Sequence, residues 1–212
     1  MTIIKKLITA VSKLAQKGKA IKGEEGVNSC FNHIKKFDNE ETAIKIFNQQ
    51  KEKFLDIDYW TSLSDIENMA FLHYDGKGEK VRRKIKVNDF VKVELPGPLP
   101  DYWVKIEIIK ESPEKVEITV RPTYDPTKRP LEKEVTAHFF DRDTLNILIF
   151  EREREKLKAE VRGISAVVNN EGTQAGDHEV LNTTVAVGGW FGMQKRQWES
   201  FTKNLAEPQK KE

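Results

Sequence analysis

The chain has 212 residues, 33% of them charged, yet its formal net charge is only +2. A chain of this length can bury a sizeable core, and its four tryptophans and eleven phenylalanines argue against wholesale disorder. The near balance of charge excludes global attraction to nucleic acid, so an electrostatic partner would need a local charged patch. The single cysteine, Cys30, excludes an internal disulfide and a cysteine metal cluster, and it favours a reducing, cytoplasmic compartment.

The first 22 residues predict a basic amphipathic helix, since they carry six lysines and no acidic residue. Five aliphatic residues share one helical face: Ile4, Leu7, Ile8, Val11 and Leu14. The apolar stretches are shorter than the roughly 18 residues of a membrane span and lack a small-residue cleavage site, so neither a membrane anchor nor a secretory leader is predicted. We expect this helix to pack on the domain or on a partner rather than on a membrane surface. The predicted organisation is a helix and linker (1–26), one α+β domain (27–206) and a charged tail (207–212).

Helical spacing continues after the linker. Around Cys30, the spacing to Ile34 predicts a short helix in which the thiol is buried as a small hydrophobe. A longer helix is predicted near 39–54, because Asp38 and Glu41 form a capping signature ahead of apolar residues at helical spacing.

The apolar run that ends at Asp75-Gly76 fits two structures. Ser64 and Glu67 repeat the capping signature and favour a helix, whereas the turn residues at its end favour a strand. Beyond it, apolar and charged residues alternate from 83 to 95, which is typical of antiparallel strands, with a turn or bulge at Asn88-Asp89.

The clearest hairpin follows, with strands near 102–108 and 116–120 joined by a turn at 112–115. In its first strand four residues are expected to share one face: Tyr102, Val104, Ile106 and Ile108. Further strands are predicted at 135–140, 144–153, 157–161 and 180–187.

Two charge runs accompany these strands. The mixed run from Glu151 to Glu160 predicts a solvated face with cross-strand charge pairs. The run from Lys77 to Lys86 contains six bases and one acid and would suit a phosphate partner. It lacks the interleaved aromatic residues that stack on bases, so nucleic acid is not a favoured partner.

Gly188 and Gly189 separate the last predicted strand from a helix that begins at Trp190. The large side chains of this helix fall on one stripe: Trp190, Met193, Trp198, Phe201 and Leu205. We expect the stripe to cover a sheet, because no phosphate-binding motif accompanies the glycines. The order of elements predicts an α+β fold with N-terminal helices, a curved antiparallel sheet or partly closed barrel of about six to eight strands, and a C-terminal helix packed on the sheet.

The sequence contains no HExxH motif, no GxSxG elbow and no other spaced set of metal ligands, so no metal or cofactor is predicted. The candidate catalytic residues are His138 and Asp141, at a predicted strand end, and His178, in a polar loop. A hydrolase would assemble its site from segments 138–143 and 169–179.

The candidate ligand- or partner-binding residues are aromatic and amide side chains: Trp103, Tyr124, Asn169, Asn170 and Trp190. Since no catalytic motif is present, the sequence favours a non-catalytic binding or adaptor protein. We expect it to engage a protein partner through residues 1–22 or through the proline-rich loop 121–130. The first alternative is a carrier of an apolar small molecule in a cavity between the sheet and the C-terminal helix, and the second is the hydrolase. No oligomeric state is predicted.

Overall fold

The computed structural model describes residues 27–96, 101–128, 144–166 and 190–208. These ranges contain β1 (Val27–Lys36), α1 (Glu40–Phe54), α2 (Ile57–Leu63), β2 (Ala70–Tyr74), β3 (Phe90–Glu94), β4 (Tyr102–Glu111), β5 (Lys115–Pro122), β6 (Leu145–Glu153), β7 (Lys156–Ala166) and α3 (Trp190–Ala206). The fold is α+β, as predicted. None of the helices in these ranges combines the length and the hydropathy needed to cross a membrane.

The seven described strands form one antiparallel sheet in the order β1-β7-β6-β5-β4-β3-β2. Strands β2 to β7 are neighbours in chain order, as hairpin connections require, whereas β1 joins the sheet beside β7. Since β1 and β2 are its two edges, the described sheet is not closed, and of the two predicted forms the open sheet is confirmed.

The helices pack on one face of this sheet, which we call the helix-covered face. Helix α3 lies against β1 and β7, α1 against β6 and β7, and α2 against β2. Aromatic rings join the layers: Phe47 of α1 stacks on Phe150 of β6 at 4.9 Å, and Trp60 of α2 meets Phe201 of α3 edge to face at 5.6 Å. Phe201 and Leu205 are buried, so the predicted packing of the C-terminal helix on the sheet is confirmed.

The caps of the helices differ from the predicted ones. Helix α1 begins after Asn39, whose side chain accepts a hydrogen bond from the Thr42 amide at 2.8 Å, so Asp38 is not the cap. Ser64 ends α2 instead of starting a helix, and the apolar run after it forms strand β2. Helix α2 itself starts after Asp56, a capping residue that the sequence pattern did not single out.

Residues 27–36 form a strand, so the predicted helix around Cys30 is wrong. Residues 29–36 pair one for one with residues 156–163 of β7, and these inter-strand hydrogen bonds outweigh the weak helical spacing. Ile34 is 56% exposed on the face opposite the helices, and Cys30 is exposed as well. The alternation was hard to detect because β1 carries polar residues on both of its faces.

The hairpin of β4 and β5 is confirmed, and the Ser112 amide donates to the Lys115 carbonyl at 2.8 Å in its turn. A register shift between Ile106 and Ile108 inserts one extra residue into β4. Ile108 is therefore 45% exposed, while Ile109 packs against the core. The prediction that Ile108 shares a face with Ile106 is wrong for this reason.

Strand β3 starts only at Phe90, later than the alternation from residue 83 indicated. Residues 87 and 88 form the predicted turn, with Asn88 at φ 72°. Ile85 is buried and its amide donates to the Leu55 carbonyl at 2.9 Å, which holds this segment on the end of α1 instead of in the sheet. The strands predicted at 135–140 and 180–187 and the helix predicted over 1–22 lie outside the described residues.

Candidate functional site

A cavity of about 50 Å³ lies between the helix-covered face of the sheet and helix α3. At about 10–15 Å³ for each water position, it has room for about four water molecules. Its apolar wall includes Trp60, Phe71, Val91, Val104, Val120 and Leu148. Since protein interiors are normally packed to crystal density, a space of this size beside a buried aromatic cluster is a candidate binding site.

The strand register explains why these residues share one wall. Val104 of β4 pairs with Val91 of β3, and Val120 of β5 pairs with Ile106 of β4, so alternate residues of neighbouring strands point to the helices. From the helical layer, Trp60 is fixed by a hydrogen bond from its Nε1 to the Phe54 carbonyl at 2.9 Å. The wall is therefore held by both layers.

Three carboxamide side chains also line the cavity: Asn146 of β6 and Gln194 and Gln197 of α3. Asn146 is 8% exposed and Gln197 is 4% exposed, whereas Gln194 is only partly buried at the rim. Burial raises the pKa of the lining residue Tyr102 to about 12, so its phenol is uncharged at neutral pH. The polar groups of the cavity are thus neutral.

A second polar cluster braces the connection between β2 and β3. His73 is fully buried, and its Nε2 lies 2.8 Å from Oδ2 of Asp89. Arg83 donates two hydrogen bonds to the same carboxylate at 2.6 and 2.8 Å, and the Lys86 amide donates a third at 2.7 Å. Burial opposes the ionisation of Asp89, but the hydrogen bonds from Arg83 and His73 prevail and hold its carboxyl pKa below the ordinary value.

This cluster does not line the cavity, and its geometry is that of a structural brace. Within the described residues, Nδ1 of His73 has no hydrogen-bond partner. The sequence pattern assigned Asp89 only a turn role and did not single out His73. Of the bases between Lys77 and Lys86, Arg83 alone is partly buried, and this is visible only in the structure.

The face opposite the helices carries a third cluster around Glu160. This carboxylate is 4% exposed and contacts Lys158 at 2.5 Å and the guanidinium of Arg162. Burial opposes its ionisation, but the hydrogen bonds from Arg162 and Lys158 prevail and lower its pKa to about 2. Lys158 also reaches Glu151 of β6 at 3.3 Å. The predicted cross-strand charge pairs are present, although Glu160 is buried rather than solvated.

Trp103 and Tyr124 lie on the face opposite the cavity. Trp103 is buried and meets Tyr74 edge to face at 4.9 Å, and Tyr124 contacts the ring of Phe90 at 5.7 Å. The Thr123 amide donates to the Trp103 carbonyl at 3.0 Å, which anchors the start of the 121–130 loop on β4. These two candidate binding residues are thus close to each other, and neither lines the cavity.

The remaining candidate residues are outside the described part of the chain. They are His138, Asp141, Asn169, Asn170 and His178. Trp190 begins α3, but its side chain is outside the description as well. The catalytic hypothesis built on segments 138–143 and 169–179 therefore stays a prediction. In the ranges that are described, no three acidic, histidine or cysteine side chains converge on one point as metal ligands would.

No protein-family model matches the chain, and no curated protein matches it either. Among solved structures, it is similar to the hypothetical protein jhp0584 of Helicobacter pylori, with 12% identity over 87% of this chain and 91% of that one and a TM-score of 0.50. Protein Ms6760 of Mycobacterium smegmatis follows at 9% identity, 83% and 90% coverage and a TM-score of 0.43. An uncharacterised protein of Bacillus thuringiensis has 9% identity, 84% and 98% coverage and a TM-score of 0.41. The likeness to the first of these is one of fold alone.

Proposed function

We propose that the protein binds a small, largely apolar molecule in the cavity between the sheet and α3. The observation that supports this proposal is the composition of the walls, which are apolar and aromatic with a few neutral polar groups. Small-molecule sites in proteins have this composition, because apolar area supplies affinity and a few polar groups set orientation.

A guest in this cavity would restore packing that the folded chain lacks. Residual cavities in protein cores cost about 24 cal/mol per Å³, so 50 Å³ corresponds to about 1 kcal/mol of packing free energy. The cavity is about a third as large as the roughly 150 Å³ engineered cavity that admits benzene or xenon. The guest therefore either has few atoms or displaces a wall residue.

Trp198 is the wall residue best placed to move. Its side chain is only partly buried, and it meets Phe201 edge to face at 5.6 Å, whereas Phe201 is 1% exposed. Rotation of Trp198 would enlarge the cavity and would break its edge-to-face contact with Phe201. A larger apolar guest would then replace the contact that Trp198 makes with contacts of its own.

The test uses xenon as the probe of the cavity and native mass spectrometry of the purified protein for a retained molecule. Xenon should shift the amide and methyl resonances of Val91, Val120 and Leu148, and a bound molecule should appear as a mass adduct. Gln194→Trp at the rim should suppress both signals by filling the entrance. Lys195→Trp is the matched control, since Lys195 is the exposed neighbour on the same helix.

An unfilled, inaccessible cavity would overturn the proposal. In that event xenon would leave the three wall residues unshifted, no adduct would be seen, and Gln194→Trp and Lys195→Trp would behave alike.

The adaptor prediction depends on other parts of the chain. Residues 1–22 are outside the described ranges, and in the 121–130 loop the described residues Thr123 and Pro126 are buried. Deleting residues 1–22 should abolish partner capture and leave the thermal unfolding unchanged if the adaptor prediction holds. Loss of the folded state would instead assign this segment to the core.

A further inference from the structure

The two edges of the sheet differ in how their outward backbone groups are satisfied. At the edge of β2, the Phe71 amide donates to Oγ1 of Thr61 at 3.0 Å, and the Thr61 hydroxyl donates to the Phe71 carbonyl at 3.4 Å. The Val81 amide donates to the His73 carbonyl at 3.0 Å. Helix α2 and the connection to β3 therefore occupy the outward groups of β2, and this protects that edge from pairing with another chain.

The edge of β1 is open. The Phe37 amide donates to the carbonyl of Glu155 directly opposite at 2.9 Å, so the odd-numbered residues of β1 bond to β7 and the even-numbered residues turn their N–H and C=O groups outward. In the described part of the chain, the outward backbone groups of Cys30, Asn32 and Ile34 make no hydrogen bond. All three residues are exposed, and Ile34 is 56% exposed.

The other side of β1 is firmly held. Oγ of Ser29 fills the space beside Gly163 of β7, where an added Cβ would lie 2.6 Å from it, and Gly163 pairs in turn with Asn146 at the cavity. Glu207, which follows α3, contacts Lys35 at 2.5 Å. Since β1 is already ordered, an extended strand that pairs with its open edge would impose little further loss of conformational entropy on it.

We propose that β1 pairs in antiparallel register with β1 of a second copy of this chain, centred on Asn32. In this register the two Asn32 side chains lie opposite each other, and Cys30 of each copy lies opposite Ile34 of the other. The exposed Ile34 then gains an apolar neighbour, since a cysteine thiol packs as a small hydrophobe, and the two amides can bond to each other.

The charges of β1 are compatible with this register and exclude others. Lys35 lies opposite Ser29 of the second copy, whereas pairing centred on Lys35 or Lys36 would place like charges directly opposite each other. A register shift between Val27 and Ser29 limits the regular strand at its start, so the pairing uses residues 29–35. None of these residues lines the cavity, and the inference is therefore independent of the proposed function.

The second copy suits this edge better than a charged peptide does, because the three outward residues Cys30, Asn32 and Ile34 are uncharged. A pairing of seven residues from each copy is a small interface, in the class of specific contacts that bury less than about 1,200 Å². We expect a dissociation constant on the order of 10–100 µM.

The first test is a cysteine crosslink in the full-length protein. The variant Cys30→Ser/Asn32→Cys has its only thiol at the centre of the pairing, where the Cα atoms of opposite residues lie about 5.5 Å apart and a disulfide can form. Mild oxidation should give a covalent dimer that a reducing agent reverses. The matched control is Cys30→Ser/Ile108→Cys, which has its only thiol at an exposed position on the same face of the sheet and should stay monomeric.

The second test is analytical ultracentrifugation of the full-length protein from about 5 to 500 µM, a range that spans the expected dissociation constant. Asn32→Pro removes an outward N–H from each copy and should weaken association at least about tenfold, while the bonds to β7 remain. Asn32→Ala is the matched control, because it keeps this N–H, and it should still dimerise. If Asn32→Pro does not fold, Asn32→Lys, which puts like charges opposite each other, should weaken association about fivefold.

Hydrogen exchange separates a second copy from other occupants of the edge. The amides of Cys30, Asn32 and Ile34 should exchange slowly only at concentrations that give the dimer. Slow exchange of these amides in a monomeric sample would overturn the inference, because another segment of the same chain would then cover the edge. A monomer at every concentration, a dimer that Asn32→Pro and Asn32→Lys leave unchanged, or equal crosslinking of the two cysteine variants would overturn it as well.

Discussion

Replacing Asp89 by asparagine removes the charge at the centre of the brace between β2 and β3. The Asp89 side chain is 4% exposed and accepts hydrogen bonds from His73, from both terminal nitrogens of Arg83 and from the Lys86 amide. Asparagine keeps one acceptor oxygen, but its NH₂ group faces the donors of Arg83 or His73. With the NH₂ group in place of Oδ1, the substitution breaks one hydrogen bond from Arg83, and it removes the negative charge from the acceptor of the other three.

The expected loss follows from this geometry. Removing one partner of a buried ion pair lowers the free energy of unfolding by about 3–5 kcal/mol. The loss is smaller here because the Arg83 side chain is 31% exposed, so that water can solvate the freed guanidinium. We expect the free energy of unfolding of Asp89→Asn to fall by about 3 kcal/mol at neutral pH. The matched control is Asp38→Asn, at an exposed position before α1, which should change stability by less than about 0.5 kcal/mol.

The assay is urea unfolding of both variants and the unmodified protein from neutral to acid pH. Since the folded-state pKa of Asp89 lies below its ordinary value of 3.8, its contribution is complete above that value. It is lost as the pH falls below 3.8 towards the folded-state pKa. The difference between the unmodified protein and Asp89→Asn should shrink over the same interval. A loss below about 1 kcal/mol at neutral pH, or a difference that is constant with pH, would refute this account of the brace.

Three further predictions concern the core, the charged face and the glycine beside the cavity. Phe201→Ala should lower the free energy of unfolding by about 3–5 kcal/mol in chemical denaturation, but Trp198→Ala by only about 2 kcal/mol, because Trp198 is partly exposed. Equal losses of stability in the two variants would contradict the placement of the cavity beside Trp198. Glu160→Gln should lower the free energy of unfolding by about 2 kcal/mol at neutral pH, a figure reduced for the exposure of its partners. Because the folded-state pKa of Glu160 is lowered, the difference in stability between the unmodified protein and the variant should vanish as the pH falls from 4.5 to about 2, and unfolding measured across this pH range checks it. Gly163→Ala should cost about 1 kcal/mol through displacement of Ser29, and adding Ser29→Ala should restore most of it; no recovery in thermal unfolding would disprove this contact.

Local patterns predicted much of the regular structure. The helix near 39–54 was predicted from apolar residues such as Ala43, Phe47 and Phe54, which are now found buried on α1. The alternation of β4 and β5 and the Ser112 turn predicted their hairpin, because both strands carry a nearly complete two-residue period. These elements can be predicted from the sequence because the spacing of their own apolar residues shows which face of the helix or strand is buried.

Elements whose partner determines their state were not predictable in the same way. Strand β1 is polar on both faces, and only its pairing with β7 makes residues 27–36 extended. The bulge after Ile106 leaves no clear mark in the sequence, yet it moves Ile108 to the surface and Ile109 to the core. In β1, pairing with a distant segment outweighed local propensity, whereas the bulge is set by how β4 pairs with β5.

The sequence by itself determined the α+β composition, the antiparallel hairpins and the apolar stripe of the last helix, since each depends on the period of neighbouring residues. Only the tertiary structure decided where polar groups meet. Asn146 and Gln197 lie far apart in the chain and face the same cavity because α3 packs over the sheet. His73, Arg83 and Asp89 likewise form a brace only when β2 pairs with β3. Such convergence depends on how the layers pack, and the order of residues along the chain does not record it.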